Sequence, residues 1–177
     1  MSIHADHPFA GPESERDPVR RLRGRLGGAV SLWTTGAGGA RSGLTVSSLL
    51  VAPGEPAMVL GLLDPDSDLV DAVHETGTAV VALLSWRHRD LADAFAGVAP
   101  APGGPFRLGS WQDSSWGPVL DGVTSWAGLR LRPQRRPAGW SVLVEGVVEH
   151  VELREEGESP EPLLHRRGRY QRPAGPR

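Results

Sequence analysis

The 177-residue chain carries 19 Lys and Arg against 21 Asp and Glu, a formal net charge of −2, with 39% hydrophobic residues and no cysteine. That length predicts one domain with its own core, and that charge supplies no general attraction for nucleic acid or an anionic membrane. The missing cysteines exclude disulfides, thiolate metal sites and cysteine nucleophiles, and fit a reducing, cytoplasmic setting.

Residues 1–13 and 171–177 are rich in Pro, Gly and polar side chains, and read as unstructured tails around one domain, residues 14–170. Asp17-Pro18 opens a short helix. The aspartate caps it, the proline suits the first helical position, and Val19, Leu22 and Leu26 recur at intervals of three and four before Gly27-Gly28. A strand follows over 29–35, then a glycine turn over 36–39. Residues 44–51 and 57–63 read as two further strands parted by a turn at Pro53-Gly54. Asp64, Asp66 and Asp68 open a helix through Thr76, with Leu69, Val70 and Val73 on one face and Gly77 as its stop. The run 78–84 has the β-branched composition of a buried central strand. Residues 87–96 form a second such helix, carrying Leu91 and Phe95 and ended by Gly97. The longest irregular stretch, 97–118, holds four prolines with Trp111 and Trp116, and a loop of that length covers a site or an interface. Residues 123–131 and 140–153 are the last strands, the second long enough to need a bulge near Glu145-Gly146. Six or so strands with two or three short helices predict a mainly β fold, an antiparallel barrel closed or nearly so. The strand-helix alternation of a doubly wound sheet is missing. No run approaches the roughly 20 apolar residues that span a bilayer.

Acid–base equipment is scarce. There is no nucleophile elbow, no histidine pair on a helix and no phosphate loop. His4 and His7 have a ligand-like spacing but lie in the N-terminal tail, so no metal site is expected. His74 complements the negative end of its helix, and His150 reads as a strand residue at the surface. Such a chain takes its chemistry from a cofactor or is not an enzyme.

Gly43-Leu44-Thr45-Val46-Ser47-Ser48 resembles the Gly-x-Thr-x-Ser-Ser signature of the flavin reductase-like, FMN-binding split-barrel family. The likeness continues in order along about 150 residues. Residues 57–63 resemble the family's next strand, and Leu91-Ala-Asp-Ala-Phe95-Ala-Gly97 its Leu-Ala-x-x-Phe-Ala-Gly helix end. Trp116-Gly-Pro-Val-Leu120-Asp-Gly122 resembles its Gly-x-Pro-x-Leu-x-Gly stretch, residues 139–148 its long strand, and Pro162-Leu-Leu-His165-Arg-Arg-Gly168-Arg-Tyr170 its closing segment. The resemblance implies an antiparallel split β-barrel that binds FMN or FAD and reduces it with NADH or NADPH. It also implies a homodimer with the flavin near the subunit interface, and a monooxygenase partner for the reduced flavin.

By the same resemblance the flavin contacts fall on Gly43, Leu44, Thr45, Val46, Ser47 and Ser48, where small side chains and hydroxyl donors let a ring's polar edge approach the backbone. The plain alternative is an edge strand, where Thr and Ser are common. Arg41 reaches a phosphate or is solvated. In the family a Ser-x-Thr pair opens the helix at the phosphate; here Ser67 stands, Leu69 replaces the threonine, and Asp64, Asp66 and Asp68 would repel a dianion. Arg87 and His88, the latter at a family glutamine position, complete the candidate set, meeting the phosphate or lying in a solvated charged turn. The family's Gly-Asp-His before the long strand is Gly139-Trp140-Ser141 here. Trp140 then stacks on flavin or substrate, or is a buried strand residue. Two other functions stay open. One is a flavin- or deazaflavin-binding protein of this fold with another redox partner or no nicotinamide-dependent turnover. The other is an arginine-rich interaction module built on residues 16–25 and 166–172, which the interspersed acids and negative total charge disfavour.

Overall fold

A computed structural model describes residues 17–154 and 161–173. The N-terminal tail with His4 and His7, Arg16, and residues 174–177 lie outside the described residues. Helix α1 (Pro18–Arg25) starts as its sequence dictates: Asp17 accepts the Val19 amide at 3.0 Å, and Pro18 occupies a position that needs no amide. No residue of α1 is buried, and Val19, Leu22 and Leu26 are exposed.

The expected strand 29–35 divides at Val30 into β1 (Gly28–Ala29) and β2 (Ser31–Thr35). The expected strand 44–51 is also two, β3 (Ser42–Val46) and β4 (Leu49–Ala52), broken at Ser47-Ser48. β5 (Met58–Leu63) leads through the Asp64–Ser67 turn into α2 (Asp68–Thr76), which buries Leu69, Val70 and Val73 and stops at Gly77. β6 (Thr78–Leu83) is followed by a 3₁₀ turn, Trp86–His88, and by α3 (Arg89–Phe95). The stretch 97–118, expected to be irregular, contains a 3₁₀ turn, Pro105–Leu108, and a hairpin of β7 (Trp111–Ser114) and β8 (Gly117–Leu120). Aromatic packing orders it, with the Trp111 ring centroid 4.8 Å from Phe106 and 5.7 Å from Phe95.

β9 (Ser125–Leu131), β10 (Arg136–Ala138) and β11 (Ser141–Leu153) complete the main sheet, and β12 (Leu164–Arg166) with β13 (Arg169–Gln171) joins β1 in a small one. Gln171, the first residue of the expected C-terminal tail, still pairs with Leu164. The β11 register slips between Val148 and His150 and not at Glu145-Gly146. Gly146 serves packing instead, since a Cβ there would meet Leu129 at 2.9 Å.

The main sheet runs β3-β2-β6-β9-β11-β5-β4, with β10 on β11, and every pair is antiparallel. β3 and β4 are its two opposite edges, yet only Ser47 and Ser48 separate them in the chain. Consecutive Cα atoms are about 3.8 Å apart, so two residues bridge the edges only if the sheet curls round on itself. It does so without pairing β3 to β4. The result is an antiparallel split barrel with three α-helices among the described residues.

Its interior holds Trp33, Val46, Leu63, Val81, Leu129 and Val144, capped by α2. A second cluster on the outer face packs Leu32, Val80 and Ala82 against Leu91 and Phe95 of α3. β6 supplies both clusters, which explains its unbroken apolar run. Among the described residues no helix is long and apolar enough to cross a membrane.

Candidate functional site

β3 has two faces, and each is committed to the fold. Gly43 and Thr45 face α3: a Cβ at Gly43 would lie 2.7 Å from the Phe95 ring, and the Thr45 hydroxyl donates to the Ala92 carbonyl at 2.7 Å. Leu44 and Val46 face the barrel interior, and the Val46 carbonyl accepts the Ser31 hydroxyl at 2.7 Å. Only where the strand ends do polar side chains come free of packing duties, at the half-buried Ser47 and Ser48.

This corner is built from four segments. The Ser48 carbonyl accepts the Leu62 amide at 2.9 Å, tying the corner to β5. The Ser48 hydroxyl accepts the Arg23 guanidinium of α1 at 2.7 Å. One turn earlier on α1, the Arg20 guanidinium lies 4.5 Å from the centre of the Trp140 ring, at the β10–β11 tip. Trp140 is 69% exposed, so it is not a buried strand residue. His165 of β12 pairs with Gly28 beside the same helix end; burial and then the Arg23 charge hold its pKa below 6.5. With Leu62 exposed between Ser48 and the Trp140 tip, the corner offers hydroxyls, guanidinia and an open apolar surface together. A flat heterocycle with one polar edge needs that combination, and these residues fit it.

The other candidates lie elsewhere or are engaged. Arg41 precedes the far end of β3, about 20 Å along the strand from Ser48, and its guanidinium binds Asp113 at 2.7 Å. Ser67 caps the start of α2, but its hydroxyl donates to the Asp64 carbonyl at 2.7 Å, and the Asp64 carboxylate takes the Asp66 amide at 3.0 Å. Arg87 donates to the Gly122 carbonyl. Its Nε also donates to His88 Nε2 at 3.2 Å, which leaves the neutral ring's one N–H on Nδ1, 3.0 Å from the Ser85 hydroxyl. Burial, and then the Arg87 charge, push its pKa down to about 4. His88 is thus a neutral closing piece of the turn before α3.

His150, expected at the surface, is half-buried, its ring stacked on Trp116 with centroids 5.2 Å apart and 4.7 Å from Trp126. Arg23 is the site residue that sequence reasoning missed. It belonged to an arginine-rich helix, and helical spacing alone does not show which face docks where. Among the described residues no three His, Asp or Glu side chains gather as a metal site.

Comparison with known proteins assigns the chain. Residues 23–174 match the model of the flavin reductase like domain. An NADH-dependent FMN reductase, AsuE2, of Streptomyces nodosus subsp. asukaensis is 33% identical over 164 residues, 90% of this chain and 86% of that protein. An FMN reductase (NADH), RutF, of Ancylobacter novellus is 34% identical over 113 residues, 63% of this chain and 62% of that relative's length. Among solved structures, the NADH:FAD oxidoreductase SgcE6 of Streptomyces globisporus superimposes with a TM-score of 0.79 at 22% identity, covering 94% of this chain and 98% of that one. The flavin reductase PheA2 does so with 0.77 at 22%, covering 88% and 96%.

Proposed function

This chain belongs to the flavin reductase-like domain family, and from that premise we propose that it is an oxidoreductase reducing FMN with NADH at the Ser47–Ser48 corner. The observation that carries the site is the junction of the two sheet edges, where Ser47, Ser48 and Arg23 meet open apolar surface. The donor and acceptor follow from the relatives named for NADH and FMN. A bound flavin supplies the chemistry, taking a hydride (two electrons and one proton) from the nicotinamide, which leaves oxidised. The protein's own part is positioning: Ser47 and Ser48 present hydroxyls to a polar ring edge, and the exposed Leu62 and Trp140 give a face to lie on. This division asks for no general base, because hydride transfer needs contact distance more than a proton shuttle.

The same reading makes the protein a cytoplasmic homodimer that passes reduced flavin to a monooxygenase. Support for the dimer comes from the edge strand β4, whose Leu50 and Val51 are 70% and 65% exposed. An open apolar edge of that kind calls for a cover. The reading is tested by mixing the protein with FMN and NADH and following the loss of NADH absorbance. Turnover on the order of 10 per second is expected. Binding of flavin with no NADH oxidation would leave the flavin-binding alternative in its place.

A further inference from the structure

The small sheet carries one row of side chains across its three strands: Gly28 of β1 stands opposite His165 of β12, and His165 opposite Tyr170 of β13. Directly opposed residues share a face, their Cβ atoms about 5 Å apart. Two contacts show where this face looks. A Cβ at Gly28 would lie 3.4 Å from the Ser47 carbonyl oxygen, so one end of the row rests on the corner. At the other end Tyr170 packs on the outer core cluster and hydrogen-bonds Asp93 of α3, the residue after the Ala92 that takes the Thr45 hydroxyl. His165, in the middle, therefore stands between α3 and the end of β3, beside Ser47.

The His165 ring is held in place while its polar atoms stay unengaged. The Tyr170 ring meets it edge-on, with centroids 6.0 Å apart at 70°. The tyrosine is itself fixed: burial, and then the charge and hydrogen bond of Asp93, push its pKa up, so it remains a phenol bonded to that carboxylate. Burial and then the Arg23 charge keep His165 uncharged at neutral pH, with one N–H and one lone pair on its two nitrogens. Among the described residues neither nitrogen makes a hydrogen bond. We propose that His165 contacts the flavin, hydrogen-bonding the polar edge of the isoalloxazine ring beside Ser47, and that Tyr170 is the positioning residue that sets the imidazole's angle. An uncharged imidazole suits the alternating carbonyl and N–H groups of that edge better than it suits a phosphate. The proposal rests on the flavin-binding reading and adds to the corner a wall from the closing hairpin.

Flavin fluorescence titration of the full chain with riboflavin and with FMN, beside urea denaturation, tests this. His165→Phe keeps the edge-on contact with Tyr170 and removes both nitrogens. It should weaken both flavins alike, by at least about fivefold as one lost hydrogen bond implies, with the denaturation midpoint unchanged. His165→Gln, which keeps a donor and an acceptor, should recover part of that loss. Tyr170→Phe frees Asp93 but keeps the ring contact, and should weaken both flavins by a smaller factor. Parent-like affinity in His165→Phe, a loss confined to FMN, or an equal loss in His165→Gln would overturn the proposal while flavin binding itself stood. Failure of the parent to bind either flavin would overturn the flavin reading and the proposal with it.

Discussion

Gly61→Ala offers a sharp test of how the barrel core supports the site. Gly61 lies on β5 between Leu49 of β4 and Val144 of β11, and the buried Trp33 ring rests on it. A Cβ at Gly61 would lie 2.7 and 2.8 Å from Cζ2 and Cη2 of that ring, closer than any real contact. The indole is also tethered, donating at 3.1 Å to the Ser31 hydroxyl, which in turn donates to the Val46 carbonyl. Overpacking costs about 1–3 kcal/mol, and an indole that swings away orphans a buried donor for about 1–3 kcal/mol more. The expected loss is about 2–6 kcal/mol, a large share of a domain's stability. Urea denaturation should show a lower midpoint with an unchanged slope. Because Val46 directly precedes Ser47, flavin affinity should fall as well. Trp33→Phe removes the crowded outer atoms, so the double variant should be more stable than additive costs predict by at least about 1 kcal/mol. A Gly61→Ala protein within about 0.5 kcal/mol of the parent, or an additive double variant, would refute the reasoning.

Other outcomes are expected. Thr45→Val should cost about 1 kcal/mol of stability by freeing the Ala92 carbonyl of its donor, read by denaturation, whereas Ser47→Ala should weaken FMN binding several-fold, read by fluorescence titration. His88 is lowered to about 4 by burial and then by Arg87, so below pH 6.5 the unfolded chain binds the proton that the folded one refuses. Its contribution is complete above pH 6.5 and lost as pH falls toward 4. His88→Gln should flatten that part of a stability-against-pH curve, and an unchanged slope would count against the assignment. Light scattering should give a dimer mass for the parent and a monomer mass for the Leu50→Asp, Val51→Asp variant.

The patterns that reached the structure intact are those in which one physical requirement dominates. The run 78–84 reads as central because both faces of β6 meet apolar clusters. Asp17-Pro18 and Gly77 mark helix ends because capping is local chemistry. The break at Ser47-Ser48 shows in the sequence only as two polar residues in succession, where the hydrogen-bond partners change from β2 to β5. β10, β12 and β13 are three residues each, too short to show any period. Periodicity places Gly43 and Thr45 on one face and Leu44 and Val46 on the other. It does not say that α3 lies over the first.

That last point explains why the proposed flavin contacts fall at the motif's end and not along its length. A residue inside β3 points either into the barrel or onto α3, and both sides are packed. A ligand cannot enter there without a cavity. At Ser47 the chain leaves one edge of the sheet, and by Leu49 it has joined the other. Between these points side chains escape both packed faces, while the backbone stays fixed by the Ser31–Val46 bond before the corner and the Leu62–Ser48 bond after it. A binding site gains most from groups that are open yet immobile. In this fold the seam of the split barrel supplies such a place, and the part that closes over it, α1, buries nothing of its own. Among the described residues its contacts include Arg23 on Ser48, Arg20 over Trp140, the Gly24 carbonyl on the Arg167 amide at 2.7 Å and the Arg25 carbonyl on Arg166 Nε at 3.3 Å. The rigid side of the site is thus set by the apolar core and the yielding side by charge. Salt and substitutions of arginine act on the second without touching the first.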